Sequence, residues 1–158
     1  MENESCIYEA SGRSNPSAGV HVQSDGSTVV FLTVKTLRKR PWLADELAHR
    51  LIRETWLEAK AWLVSDYVLM PDHLHLFCML GELETEIENW IRYWKREFRK
   101  KHDHTDWKFQ SRGWHHRLRA DESYAEKWQY LLENPVRKGL VREPTDWPYR
   151  GKVFDLQC

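Results

Sequence analysis

Two strand-length apolar segments stand next to each other in the middle of the chain, with only a tight turn between them. The first runs from Leu63 to Met70 and the second from His73 to Leu80. The link Met70-Pro71-Asp72 is typical of a turn, because proline fixes one backbone angle and aspartate can bond to nearby backbone. The pattern therefore predicts two consecutive strands, the second and third of the chain.

Further strand and helix patterns lie on both sides of these two strands. The β-branched segment from Val29 to Val34 predicts a first, buried strand. Pro41 and Asp45 are typical of a helix start, and apolar residues at helical spacing continue that helix to about Trp62. Downstream, the sequence predicts a second helix from about Leu83 to Lys101, a polar loop over 102–113, a short fourth strand from Trp114 to Arg119, and a third helix from Ser123 to about Glu133.

This order of elements predicts an α+β fold. Its first six elements, β-α-β-β-α-β, match the ferredoxin-like arrangement, an antiparallel sheet with helices on one face. An added C-terminal helix, the one that carries Tyr130, follows. We expect residues 27–151 to form this domain, residues 1–26 to form a mobile polar tail, and residues 152–158 to form a short C-terminal tail.

Composition excludes several classes of protein. Of the 158 residues, 41% are hydrophobic and 30% are charged, which is typical of a soluble globular domain. No apolar segment approaches the roughly 20 residues that span a bilayer, and no signal-peptide pattern opens the chain. Three scattered cysteines form neither a disulfide framework nor a zinc knuckle. We expect a cytoplasmic protein with no membrane partner.

The third strand carries the sharpest chemical motif, His73-Leu74-His75-Leu76. Alternate side chains of a strand point to opposite faces, so the two imidazoles share one face, roughly 7 Å apart at the backbone. Two histidines on one strand face can converge on one cation. The other interpretation, that they are ordinary core or surface histidines, stays open from the pattern alone.

The third helix carries a tyrosine that faces away from the core. Ser123 and Glu126 match a capping box that starts this helix, and Pro135 with Gly139 ends it. At about 100° per residue, the apolar stripe comprises Tyr124, Ala125, Trp128, Leu131 and Leu132. Tyr130 falls on the far side of the helix, with Asn134 one turn later. Tyr130 is therefore either an exposed amphipathic residue or a functional phenol.

A basic segment lies inside a chain whose formal net charge is zero. Between residues 91 and 119, ten Lys and Arg residues face only three acidic ones, a local net charge of +7. Such a segment indicates either a polyanion site or a solvated helix face. Tryptophans interleave with it, and aromatic rings stack on unpaired bases, although we expect most of the nine tryptophans to lie in the core.

These motifs together resemble the HUH single-tyrosine transposases, in particular the REP-associated tyrosine transposases of bacteria. The resemblance covers about Val29 to Gly151. It is carried by the His73-Leu74-His75 triplet, by the segments from Tyr130 to Val141 and from Trp114 to Arg119, and by the closing Asp146-Trp-Pro-Tyr149.

The resemblance implies a metal-dependent endonuclease and strand transferase that acts on single-stranded or hairpin DNA. It implies Tyr130 as the nucleophile that forms a 5′-phosphotyrosine, and His73, His75 and Asn134 as ligands of Mg²⁺ or Mn²⁺. It also implies a homodimer, because the tyrosine helix of such enzymes commonly serves the partner's site. The residues expected to contact DNA are Arg92, Lys95, Arg96, Arg99, Lys100, Arg112, His116, Arg117 and Arg119.

Other functions fit the sequence less well. A histidine-triad hydrolase requires a third histidine where this chain has Phe77. A structural zinc site is disfavoured because two histidines without a nearby cysteine do not complete a tetrahedral shell. The main alternative is a non-catalytic or domesticated DNA-binding protein that recognises hairpin repeats. Tyr130 and both histidines, which such a protein has no reason to keep, argue against it.

Overall fold

The computed structural model describes residues 7–10, 29–81, 83–118 and 123–157. The strands are β1 Ile7–Ala10, β2 Val30–Thr36, β3 Trp62–Leu69, β4 His73–Leu80, β5 Phe109–Arg117, β6 Arg150–Lys152 and β7 Phe154–Gln157. The α-helices are α1 Glu46–Glu58, α2 Ile87–Arg99, α3 Tyr124–Leu132 and α4 Asn134–Arg137, and 3-10 turns occur at Leu37–Lys39 and Pro144–Asp146.

Five antiparallel strands form the main sheet, in the order β5-β2-β4-β3-β6. The predicted α+β fold is confirmed, and β4 has the bounds that the sequence predicted. The C-terminal strand β6 was not predicted; it pairs with β3 along one edge. The histidine-bearing strand β4 is thus central, and β5 forms the opposite edge.

Helices α1 and α2 cover one face of this sheet. Asp45 caps α1 by accepting a hydrogen bond from the backbone N–H of Ala48. The ring of Trp56 lies 5.1 Å from Tyr67 of β3 and 5.6 Å from Trp94 of α2, centroid to centroid. These aromatic contacts join the two helices to the sheet in one buried core.

Two predicted boundaries on this side were wrong. Helix α1 ends at Glu58 and not near Trp62, which instead begins β3 and donates its indole N–H to the backbone of Thr85. The segment predicted as a polar loop contains the first half of β5, which begins at Phe109. An edge strand keeps its polar residues exposed, so its composition resembles that of a loop.

Helix α3 packs on the opposite face of the sheet, the face that carries the histidines. Ser123 caps it as predicted, accepting from the backbone N–H of Glu126. The Tyr124 ring contacts Phe77 of β4 at 4.2 Å between centroids, and its hydroxyl donates to Asp66 at 2.6 Å. Ala125, which the apolar stripe included, is exposed. This packing fixes α3 over the central strands.

The chain between α3 and β6 turns sharply. Helix α3 ends at Leu132, and α4 begins at Asn134, with Pro135 in its first turn. Gly139 then has a φ of +72°, a left-handed conformation that a side chain would strain. Helix α3 therefore ends before Pro135, close to the predicted end at Glu133, and the sequence did not predict the one-turn helix α4 that follows.

The two chain ends meet in a small separate sheet. Strand β1 lies in the segment predicted as a mobile tail and pairs antiparallel with β7, which lies in the predicted C-terminal tail. The rest of the predicted N-terminal tail lies outside the described residues. None of the helices in the described part of the chain is long and apolar enough to cross a membrane.

Candidate active site

His73 and His75 share one face of β4, as the alternation predicted. Their ring centroids are 4.9 Å apart and the rings are nearly perpendicular, at 79°. The neighbouring strand β2 places Lys35 opposite His73 and Thr33 opposite His75. The sheet thus holds the two imidazoles side by side at one end of its central strand.

Each imidazole is anchored through the same ring nitrogen. Nδ1 of His73 lies 2.7 Å from Oδ1 of Asp72, and Nδ1 of His75 lies 2.9 Å from Oγ1 of Thr33. A proton on Nδ1 that is donated to these oxygens leaves Nε2 as the nitrogen that can bind a cation. Such an acceptor behind a histidine is the usual outer partner of a metal ligand.

His75 is held in the neutral form that metal binding requires. Burial lowers its pKa to about 3, and repulsion from His73 and Lys127 contributes to the shift. The donor set therefore fits a divalent cation as a pair of imidazole ligands. Among the described residues, however, no group of three or more His, Cys, Asp or Glu side chains could hold a metal. An ion bound by the two histidines would therefore need other ligands at its remaining coordination positions.

A cavity of about 550 Å³ opens over the two histidines. Thr33, Asp72, Met70 and the two histidines form part of its wall. Three lysines complete the rim, and we refer to them as the lysine rim: Lys35, Lys39 and Lys138. These lysines were not predicted from the sequence, because they are far apart in the chain and no motif connects them. Their charges make the cavity suited to an anion such as a phosphate.

The backbone that carries Lys39 is strained. Arg38 and Lys39 have φ angles of 57° and 54°, in the left-handed region that residues with a side chain rarely adopt. Each residue in this conformation lowers the stability of the fold by about 1–2 kcal/mol. The turn is held by backbone hydrogen bonds from Thr36 to Asp72 and from Leu37 to Lys108. Strained residues cluster at functional sites, and here the strained turn brings Lys39 to the cavity.

Tyr130 lies on the outer side of α3, and its side chain is 61% exposed. This confirms that it is not part of the core stripe. The Arg137 guanidinium lies 3.7 Å from the centroid of its ring, and Arg137 also donates to the Tyr130 carbonyl and to Oδ1 of Asn134. Arg137, which was not predicted from the sequence, therefore holds Tyr130 and Asn134 together as one unit.

The structure does not bring this unit to the histidines. Tyr130 and Asn134 are not among the residues that line the cavity, whereas Lys138 and Leu140 of the same segment are. The tyrosine segment thus reaches the rim of the cavity through the residues that follow α4.

The other tyrosine of α3 is not available for chemistry. Burial raises the pKa of Tyr124 above its ordinary value, and the nearby Asp66 carboxyl raises it further. Among the tyrosines whose side chains the structure describes, only Tyr93 and Tyr130 are exposed, at 43% and 61%. Neither of them lines the histidine cavity, but Tyr93 lies on α2, whereas Tyr130 belongs to the segment whose later residues Lys138 and Leu140 do line it. Of the two exposed phenols, Tyr130 is thus the one in a segment that reaches the cavity.

The structure describes eight of the nine residues that were predicted to contact DNA. Arg92, Arg96, Arg99, Lys100, Arg112 and Arg117 are exposed on α2 and β5, and Arg119 lies outside the described residues. Lys95 is half-buried and donates to the backbone of Gln110 at 2.7 Å, so it also joins α2 to β5. Burial lowers its pKa to about 8. His116 lies 3.1 Å from Lys127 on the face that α3 covers.

Comparison with known proteins identifies the family. The chain is 30% identical over 131 residues to the REP-associated tyrosine transposase of Escherichia coli K12, over 75% of this chain and 73% of that protein. This chain belongs to the REP-associated tyrosine transposase family. A second family member, described as a putative REP-associated tyrosine transposase of Haemophilus influenzae, is 31% identical over 57% of this chain and 58% of its own length.

A solved structure shares the fold of this family member. It is a REP-associated tyrosine transposase bound to a REP hairpin, and it matches with a TM-score of 0.65 and 24% identity, over 78% of this chain and 75% of the other. No family model matches the chain. The names of these relatives support a transposase function for the chain.

Proposed function

We propose that this transposase family member is a metal-dependent endonuclease and strand transferase for single-stranded or hairpin DNA. The observation that carries the proposal is the histidine pair, with both Nδ1 atoms anchored and both rings at a cavity rimmed by lysines. His73 and His75 would hold Mg²⁺ or Mn²⁺, and the ion, when bound, would polarise a phosphate. The relative bound to a REP hairpin supports hairpin DNA as the substrate class.

Tyr130 is the proposed nucleophile. Its phenol oxygen attacks the phosphorus and loses its proton, and the bond from phosphorus to the 3′ oxygen breaks. That oxygen takes up a proton and leaves as the 3′ hydroxyl of the upstream fragment. The downstream fragment stays attached to Tyr130 through its 5′ phosphate, as a phosphotyrosine ester. The ester keeps the bond energy, so a later 3′ hydroxyl can displace the tyrosine and rejoin the strands.

The lysine rim would hold the phosphate during this step. The cations of Lys35, Lys39 and Lys138 can neutralise charge on the phosphate oxygens beside the histidines. Lys138 lies four residues after Asn134, so a movement that brings Tyr130 to a phosphate held by Lys138 would bring Asn134 with it in a closed arrangement. We propose Asn134 as a further metal ligand only in such a closed arrangement.

Attack requires Tyr130 to reach a cavity that it does not line. Either α3 moves within one chain, or a homodimer forms in which Tyr130 of one copy serves the histidines of the other. Mixing two inactive variants, His75→Ala and Tyr130→Phe, separates these cases. Restored cleavage in the mixture supports the dimer with exchanged tyrosines, and activity absent from the mixture supports movement within one chain.

The alternative function is non-catalytic binding of hairpin DNA. The position of Tyr130 outside the cavity is the observation that favours it. Incubation of the protein with a single-stranded REP hairpin and Mn²⁺, followed by denaturing electrophoresis, separates the two functions. The proposed enzyme gives a covalent protein–DNA band that disappears when the metal is chelated. Tight binding without such a band supports the alternative.

A further inference from the structure

Trp114 is exposed in a chain that buries most of its tryptophans. All nine tryptophans lie in the described residues, and seven of them are buried. Trp128 is partly buried against the core, and Trp114 is 59% exposed. Trp90, Trp94 and Trp107, which also interleave with the basic segment, are core residues. A single exposed ring is common on protein surfaces, so its position decides whether it has a function.

Trp114 lies in the same row of the sheet as His75. Thr33 of β2 pairs with His75 on one side and with Trp114 on the other. Paired residues on adjacent antiparallel strands point to the same face, and neighbouring strands are about 4.8 Å apart. The backbones of Trp114 and His75 are therefore about 10 Å apart, and both side chains point to the face where the cavity opens.

The indole is fixed by other rings that lead towards the histidines. Its centroid is 4.8 Å from that of His116 and 6.2 Å from that of Phe31. Phe31 in turn stacks on His75, with 5.4 Å between centroids and 17° between planes. A ring that is already held in place loses little conformational freedom when a ligand stacks on it.

The charges around this ring favour a polyanion. Lys127 of α3 lies on the same face, with Nζ 4.5 Å from the Phe31 centroid. Arg117, on the same edge strand, pairs with Val30 and so points to the opposite face, which leaves Lys127 as the cation that shares the face of the ring. An exposed aromatic ring on a sheet, with a cation on the same face, is a usual surface for unpaired bases of a nucleic acid.

We propose that Trp114 is a stacking platform for one unpaired DNA base, within a few nucleotides of the phosphate at the histidine pair. The inference rests on the proposed function, because it takes DNA as the ligand of this face. It adds a specific interaction that fixes the register of the strand relative to the histidines.

Binding of a fluorescein-labelled single strand tests this proposal, measured by anisotropy in a Tyr130→Phe background to prevent cleavage. Trp114→Ala should weaken binding by about 5- to 140-fold, the range expected for the loss of one base stack. Trp114→Phe should keep most of the affinity. Tyr93→Ala, which removes an exposed ring from the outer face of α2, is the matched control and should bind normally.

A scan of single abasic sites along the strand makes the test independent of any folding defect. In the protein with Trp114 intact, one abasic position should weaken binding by a similar factor, and in Trp114→Ala that position should have no further effect. Equal affinity of Trp114→Ala and its parent for the intact strand, or an unchanged abasic profile, overturns the inference. The covalent adduct tests the proposed function separately, in protein that retains Tyr130. If the adduct forms although Trp114→Ala binds normally, the inference about Trp114 is wrong and the proposed function still stands. If no adduct forms, the proposed function itself is refuted.

Discussion

Replacement of Thr33 by valine tests whether the hydroxyl behind His75 tunes a metal ligand. Valine keeps the β-branched shape and removes only the oxygen, which lies 2.9 Å from Nδ1 of His75. Without this acceptor, the ring can rotate and can carry its proton on Nε2, where the metal should bind. Removal of such an outer partner costs about 10- to 100-fold in metal affinity, or about 1.4–2.7 kcal/mol.

The same substitution should have little effect on folding. One hydrogen bond contributes about 1 kcal/mol to stability, and valine is a strong strand former, which offsets part of the loss. We expect the free energy of unfolding in urea to change by about 1 kcal/mol or less. A metal defect in Thr33→Val is then not a consequence of unfolding.

Titration calorimetry with Mn²⁺ measures the effect directly, and Thr33→Ser is the matched control because it keeps the hydroxyl. We expect the serine variant to bind Mn²⁺ nearly as well as the wild type and the valine variant to bind at least tenfold more weakly. Equal affinity in all three proteins would refute the role of Thr33. Absence of Mn²⁺ binding in the wild type would refute the metal site itself.

Three other sets of substitutions have definite expected outcomes. Tyr124→Phe should lower the free energy of unfolding by about 1–3 kcal/mol, because it leaves the buried Asp66 without its hydroxyl donor. This variant should still cleave DNA, and loss of cleavage with normal stability in urea would contradict the expectation. Arg38→Gly should raise the melting temperature, because glycine adopts a φ of 57° without the conformational strain of about 1 kcal/mol or more that arginine has there. A lower melting temperature would contradict the claim that Arg38 is strained. A triple alanine variant would replace the exposed cations Arg96, Arg99 and Lys100. It should flatten the dependence of DNA affinity on salt, by about 0.7 in the log–log slope for each phosphate of a single strand that is no longer neutralised. An unchanged slope would show that these three residues form only a solvated helix face.

Local patterns were sufficient to predict the elements that carry the site. The alternation of apolar and polar residues defines β4 and places both histidines on one face, and side-chain capping by Ser123 defines the start of α3. The position of Tyr130 around the helix axis predicted its exposure. In each case the pattern that makes the prediction lies within a single strand or within one or two turns of a single helix.

Features that depend on distant segments were not predictable in this way. The lysine rim is assembled from β2, the strained turn and the residues after α4, and no local pattern connects them. The early start of β5 depends on pairing between Phe109 and Thr36, not on its own polar composition. Likewise, the helical periodicity of α3 predicts the side of the helix on which Tyr130 lies. It does not predict whether the Tyr130 phenol contacts the histidines, because that depends on how α3 packs on the sheet.

The central claim is that Tyr130 becomes covalently attached to DNA. The most direct measurement is mass spectrometry of the trypsin-digested adduct formed with a single-stranded REP hairpin and Mn²⁺. We expect a 5′ phosphate on the peptide that contains Tyr130, a free 3′ hydroxyl on the other fragment, and no adduct with Tyr130→Phe. An adduct that persists in Tyr130→Phe, or a phosphate on another residue, would contradict the claim.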